Sequence, residues 1–202
     1  MNEFVNSKVF WNNKYLQQQD KWDLNNPTPQ FINWSNQNKN KLKILIPGCG
    51  KGHDAIYLST KGHDVTCIDF SSVALQYLKE KSKNIPNIKL NIIEDDFFNL
   101  KDDYNNSFDI ILEYTFFCAI NPSLRSNYFK ICNKLLKDKG RLVGIFFPIR
   151  KSNIDSSPPY VVNYKDELIN AKTLFKTLIV KKNLLSVAPR KDNEIFFEML
   201  KI

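Results

Sequence analysis

Leu42-Lys43-Ile44-Leu45-Ile46-Pro47-Gly48-Cys49-Gly50-Lys51-Gly52-His53-Asp54 is the stretch that decides the fold. An apolar run of strand character stops at Pro47. Glycines follow at 48, 50 and 52, and a helix-like segment opens at His53. Glycine has no Cβ, so the backbone can turn tightly here and a ligand can approach it closely. Exposed N–H groups at the following helix start favour acceptor atoms. Strand, glycine turn and helix together make a nucleotide-type cradle.

Outward from this turn, strand and helix patterns alternate. The apolar run 42–46 predicts a first strand, and 53–61 a helix with Ala55, Ile56 and Leu58 facing in and Gly62 at its end. A second strand, 65–68, is closed by Asp69. Ser71 or Ser72 caps a helix that stops near Pro86. Residues 88–93 read as a third strand, ended by Asp95-Asp96-Phe97-Phe98, and 108–112 as a fourth. An aromatic loop or turn, 114–120, leads to a helix from Pro122 to Gly140. A fifth strand follows at 141–147, then a loop over 148–163 and a short helix over 165–171. Two last strands, 174–180 and 194–199, have no helix between them and should pair antiparallel. The expected fold is α/β, a doubly wound Rossmann-like domain whose seven-stranded, mostly parallel sheet ends in an antiparallel hairpin.

N-terminal to this core, residues 1–24 are polar but carry Phe4, Phe10, Trp11, Tyr15 and Trp22. Trp11 and Tyr15 are four apart and share a helix face. The stretch Asp23-Leu24-Asn25-Asn26-Pro27-Thr28-Pro29 breaks any helix. Phe31, Ile32 and Trp34 suggest a short amphipathic turn. Residues 1–40 are expected to precede a core of 41–202 within one domain.

Composition excludes several alternatives. With 202 residues, 43% of them hydrophobic, the chain can bury a core of its own. No apolar run approaches the roughly 20 residues that span a bilayer, and residues 1–4 carry no secretory pattern, so a cytoplasmic protein is expected. The formal charge of +8 invites a nucleic-acid partner, but the excess is scattered lysine and the arginines are only Arg125, Arg141, Arg150 and Arg190. The cysteines at 49, 67, 118 and 132 form no C-x-x-C pair, and His53 and His63 are the only histidines. Reduced cysteines and no metal are expected.

Three ligands compete for the glycine turn. A P-loop fails, because Gly52 is followed by His53 and Gly50-Lys51 lacks the Ser/Thr. The dinucleotide pattern G-x-G-x-x-G is replaced by the tighter G-x-G-x-G, which leaves less room for a pyrophosphate. Asp69 stands 19 residues beyond Gly50, at the end of the second strand, where a carboxylate can accept both hydroxyls of an adenosine ribose. Asp95-Asp96-Phe97, at the end of the third, can meet an adenine edge and face. Together these features fit S-adenosylmethionine, with S-adenosylhomocysteine as product.

The segment 46–54 also resembles the glycine motif of the thiopurine S-methyltransferase superfamily, most closely its plant-type thiol and halide methyltransferase branch. Trp22-Asp23 followed by Pro27-Thr28-Pro29 is similar to the family's W-D-x-G-x-x-T-P segment. Residues 113–120, Glu-Tyr-Thr-Phe-Phe-Cys-Ala-Ile, resemble D-Y-x-F-F-C-A-I, and Pro158-Pro159-Tyr160 resembles a P-P-Y loop. The resemblance covers about residues 10–200. It implies that Trp11 and Trp22 close over the cofactor, with Tyr15 where a second tryptophan usually stands. It makes residues 1–40 an aromatic lid segment and puts Gly48 under the methionine part, Asp69 on the ribose, Asp96 on the adenine and Tyr114 at the aromatic position after the fourth strand; Gly50 and Phe97 are expected to bind the cofactor with them. Asn25 departs from the usual glycine, but asparagine tolerates φ > 0.

The implied acceptor is a small thiol or halide such as hydrosulfide, methanethiol, iodide or an aromatic thiol, methylated by in-line displacement. Tyr160 and Phe116 would position it within an apolar cup, and no general base is assigned. No nucleic-acid or membrane partner is expected, and the chain is expected to be a monomer. A methyltransferase acting on RNA, protein or another small molecule, or a non-catalytic binder of the cofactor, are the rival readings.

Overall fold

The computed structural model describes residues 7–150 and 157–202. Phe4 and part of the 148–163 loop lie outside them. The chain runs α1 (Lys8–Leu16), α2 (Pro29–Gln37), β1 (Lys43–Pro47), α3 (His53–Thr60), β2 (Asp64–Asp69), α4 (Ser72–Ser82), β3 (Lys89–Glu94), β4 (Phe108–Tyr114), α5 (Arg125–Leu135), β5 (Leu136–Phe146), α6 (Tyr164–Ala171), β6 (Phe175–Lys182) and β7 (Ile195–Lys201). The seven strands form one sheet in the order β3-β2-β1-β4-β5-β7-β6. β3, β2, β1, β4 and β5 are parallel, and β7 runs antiparallel between β5 and β6. This is the expected fold class.

Alternation along the central strands feeds two cores. Leu45, Ile111 and Leu142 pack on one face with Phe117, Tyr128 and Phe129. Ile44, Ile46, Ile110, Leu112 and Val143 pack on the other with Phe31, Trp34, Leu58 and Leu75. A parallel strand covered on both faces must be apolar on both, which is why β1 reads as a continuous apolar run. β1 lies between β2 and β4, so crossovers leave it in opposite directions and open a cleft at the strands' carboxyl ends. The glycine turn after β1 and Tyr114 at the end of β4 flank that switch point.

Two local expectations are corrected. The turn expected around Phe31 is the full helix α2, because Pro29 occupies its first turn, where a missing N–H costs nothing. The helix expected to reach Gly140 ends at Leu135. Leu136 is fully buried, adopts extended backbone and pairs with Phe108, so β5 starts five residues before the expected Arg141. Ser71 caps α4 through its hydroxyl, which accepts the Ala74 N–H.

Candidate active site

Gly48, Gly50 and Gly52 all have positive φ, +58°, +53° and +70°. Gly48 and Gly50 have a second reason to lack a side chain. A Cβ on Gly48 would lie 2.3 Å from Phe116 Cδ2, and one on Gly50 2.8 Å from the Tyr15 hydroxyl. The turn is tied to β2 by Cys49 N–H on the Ile68 carbonyl and by Gly50 N–H on Asp69 Oδ2, 2.9 Å. Asp69 Oδ1 accepts the Ser71 N–H at 2.8 Å. Burial pushes the Asp69 carboxyl up to about 6, against the N–H donors of Ser71, Gly50 and Phe70.

A cavity of about 590 Å³ opens over this turn. Its wall includes Trp11, Tyr15, Trp22, Gly48, Gly50, Asp69, Asp96, Phe97, Tyr114 and Phe116, which the sequence placed at the site. Asp96 Oδ1 accepts the Phe98 N–H, whereas Asp95 is exposed. Phe97 is buried edge-on to Phe116. Trp22 packs edge-on against Trp11 at 5.3 Å and Tyr15 at 5.7 Å.

Tyr160 is corrected. It is buried but does not line the cavity, where Pro158 and Pro159 stand instead. Its N–H is bonded to the Cys118 carbonyl, and Arg125 Nη2 holds the Val161 carbonyl, so this loop presents its prolines inward.

Several residues of the site were not assigned from sequence. Lys51 pairs with Asp20 at 2.6 Å and Asp23 at 3.0 Å, and His53 Nε2 with Asp23 Oδ1 at 2.9 Å. Asp54 takes the N–H and the hydroxyl of Thr28 at 2.7 and 2.8 Å. These contacts clasp the segment 20–28 to the helix mouth. Asn25, at φ 55°, supports the turn between them with its N–H on Asp23 Oδ1. Burial works to raise the Asp23 carboxyl. The hydrogen bonds from His53, Asn25 and Lys51 outweigh it and hold Asp23 well below the usual range. A depressed value means the clasp is fully formed above about pH 4 and lost only as pH falls through that lower value.

Behind the cavity lining, Arg190 Nη2 donates to the Trp22 carbonyl at 2.6 Å. The guanidinium stacks 4.9 Å from the Tyr114 ring and 4.8 Å from Phe147. The Tyr114 hydroxyl donates to Glu194 at 2.5 Å. Thr115 has φ 65°, a position that costs a β-branched residue on the order of 1–3 kcal/mol. Among the described residues, no group of three or more His, Cys, Asp or Glu side chains could hold a metal ion.

The family profile described as thiopurine S-methyltransferase (TPMT) matches residues 6–198. The chain belongs to the thiopurine S-methyltransferase family. It is similar to the probable thiol methyltransferase 2 of Arabidopsis thaliana, 31% identical over 192 residues, covering 94% of this chain and 83% of that protein. Thiocyanate methyltransferase 1 of Brassica oleracea is 33% identical over 178 residues, 86% of this chain and 76% of its own. Among solved structures, a TehB-like SAM-dependent methyltransferase from Corynebacterium glutamicum superposes with a TM-score of 0.70 at 18% identity, covering 95% of this chain and 98% of its own. The Burkholderia thailandensis 1,6-didemethyltoxoflavin-N1-methyltransferase, solved with S-adenosylhomocysteine, gives 0.75 at 15% identity, covering 96% and 86%. At those identities the fold is what is shared. This family member is thus a methyltransferase with the class I S-adenosylmethionine-dependent fold.

The clasp yields a first prediction. Asp23→Asn removes the charge shared by Lys51 and His53 and should weaken binding of S-adenosylhomocysteine three- to tenfold, read by Trp22-sensitive fluorescence titration. Unchanged affinity would mean that the lid closes without it.

Proposed function

We propose that this protein transfers a methyl group from S-adenosylmethionine to a small, already anionic soft nucleophile: a low-pKa thiol, hydrosulfide or a halide. The observation that carries this reading is the acceptor end of the cavity. Phe116, Tyr114, Phe147, Pro158 and Pro159 make it apolar, and the Arg190 cation lies behind two of those rings. Such a pocket suits a small polarisable anion better than a nucleic acid or a peptide.

The residues fit the donor. Glycine at 48 and 50 lets the Phe116 ring and the Tyr15 hydroxyl close directly on the turn, whose backbone lines the cavity where the methionine part would lie. Asp69 lines the cavity as the carboxylate acceptor for the ribose, and Asp96 and Phe97 line it where the adenine would lie. When bound, S-adenosylmethionine supplies a methyl already activated on a sulfonium. The chain's task is then alignment, exclusion of water and accommodation of a cation, for which aromatic faces are suited.

Proton removal is not what the acceptor end is built for. Burial pushes the Cys118 thiol up to about 12 and the Tyr114 hydroxyl higher still, so both stay protonated at neutral pH. His53 is committed to Asp23 on the lid. An acceptor that arrives as an anion needs no base.

The test is a headspace assay with purified protein, methyl-labelled S-adenosylmethionine and a panel of sulfide, methanethiol, thiocyanate, iodide, bromide and an aromatic thiol. Saturable formation of a volatile or extractable methylated product from at least one member is expected. Tight cofactor binding with no label on any acceptor would overturn the reading in favour of another substrate class or a non-catalytic binder.

A further inference from the structure

Glu113 is the last residue but one of β4 and is 1% exposed. Its Oε1 accepts two backbone N–H groups, from Phe116 at 3.1 Å and Phe117 at 2.8 Å. Its Oε2 accepts the Tyr128 hydroxyl at 3.0 Å. The carboxylate thus stitches β4, the turn that follows it and α5 together. A carboxylate buried on an apolar strand is costly unless its lone pairs are used, and here three donors use them.

What the stitching holds is the cavity floor. Between Glu113 and the bonded amides lies Thr115 at φ 65°, where a β-branched side chain is strained. Such a conformation persists only where its surroundings over-determine it. The two N–H groups captured immediately downstream do that. The result aims Phe116 across the cleft until its ring meets Gly48, where a Cβ would lie 2.3 Å from Cδ2. Behind it, Gly144 on β5 gives Glu113 its room: a Cβ there would lie 2.7 Å from the Glu113 Cβ. Cys118, which also lines the cavity, stands in the same turn and bonds through its carbonyl to the Tyr160 N–H. One buried carboxylate therefore locates both the ring at the glycine turn and the loop that carries Pro158 and Pro159.

We propose that Glu113 is the positioning residue of the acceptor pocket: its carboxylate clamps the turn after β4 so that Phe116 holds the acceptor in line with the transferred methyl. Glu113 touches neither reactant and acts through Phe116. For its kinetic readout the proposal rests on the methyl-transfer reading above; its structural readout does not.

The experiment compares Glu113→Ala, Glu113→Gln and Tyr128→Phe. Glutamine keeps an acceptor oxygen for the two amides and alanine keeps none. Expected for Glu113→Ala are an acceptor KM raised at least tenfold, a lower kcat and a donor Kd within threefold of the starting protein. Glu113→Gln should recover the acceptor KM to within threefold, and Tyr128→Phe should raise it two- to fivefold. Hydrogen exchange should be faster at the Phe116 and Phe117 amides in Glu113→Ala, while the Ile44 amide in β1 stays protected. Equal losses in donor and acceptor binding would overturn the proposal, as would a glutamine variant as impaired as alanine. If Glu113→Ala does not fold, Tyr128→Phe decides, and an unchanged acceptor KM then counts against the clamp. If the unsubstituted protein methylates none of the panel, the acceptor reading fails by itself. Amide exchange then decides on Glu113, and unchanged protection at Phe116 and Phe117 would overturn the clamp.

Discussion

Asp69→Ala is expected to weaken binding of S-adenosylmethionine by at least a hundredfold. Two charge-assisted hydrogen bonds to the ribose contribute about 1.5–3 kcal/mol each, so their loss amounts to about 3–6 kcal/mol. The substitution also strips the acceptor from the Gly50 and Ser71 N–H groups, which loosens the glycine turn itself. Isothermal calorimetry reads the effect, and an affinity within threefold of the starting protein would remove Asp69 from the ribose.

The same carboxyl carries a pH dependence. Its folded-state value is raised from 3.8 to about 6, chiefly by burial. A raised value means that Asp69 favours the ligand-free fold most below about pH 4, and that share is lost as pH rises through about 6. Donor binding makes the opposite demand, because the ionised form is the better acceptor for hydroxyls. Affinity should therefore climb between about pH 5 and 7 and level off above. Asp69→Asn should flatten that climb, while its NH2, which cannot accept, leaves one of the Gly50 and Ser71 N–H groups without an acceptor. A climb that survives in Asp69→Asn would assign it to another group.

Gly48→Ala is expected to damage stability and donor binding together. The new Cβ would sit 2.3 Å from Phe116 Cδ2 and 2.9 Å from its Cβ, and φ is +58°. Overpacking costs about 1–3 kcal/mol and the left-handed backbone about 1–2 kcal/mol. At about 2–4 °C per kcal/mol for a chain of this size, the melting temperature should fall by roughly 4–20 °C. Phe116 has little freedom to retreat, because its N–H is held by Glu113. Gly62→Ala is the matched control. Its φ is +87°, but the nearest atom, Lys41 Cε, is 3.7 Å away, so only the backbone cost applies. Measured in a Phe116→Ala background, which loses its own packing on Phe97 and Tyr128, Gly48→Ala should cost only the backbone share. Equal losses for Gly48→Ala and Gly62→Ala would mean that contact with Phe116 is not what excludes a side chain at 48.

Much of the site could be read from the chain because its signals are local. Asp69 is the residue that ends an apolar strand, at a set distance beyond the glycines, so strand period and spacing alone place it at the mouth of the sheet. Asp96 follows the same logic one strand further. Leu136 shows the limit. Nothing in Lys134-Leu135-Leu136-Lys137 forbids more helix, and only the pairing of Leu136 with Phe108 ends it there. Tyr160 shows another. Three consecutive loop residues can each face inward, and it was the hold of Arg125 and Cys118 on the backbone that chose the prolines. Glu113 did carry a signal, an acid inside Phe108-Asp109-Ile110-Ile111-Leu112-Glu113-Tyr114, but its three donors come from a turn and a helix whose placement the strand does not encode.

By itself, the sequence determined the alternating α/β order, the glycine turn and the acids at the ends of β2 and β3. All of these follow from side-chain sterics and from the periodicity of burial, which act over a few residues. Only the tertiary structure decided which distant groups meet: Arg190 on the Trp22 carbonyl 168 residues away, Lys51 and His53 on Asp20 and Asp23, and Tyr128 on Glu113. Their pairing depends on where the whole sheet and its loops place them, and a buried charge is tolerable only where that placement brings it a partner.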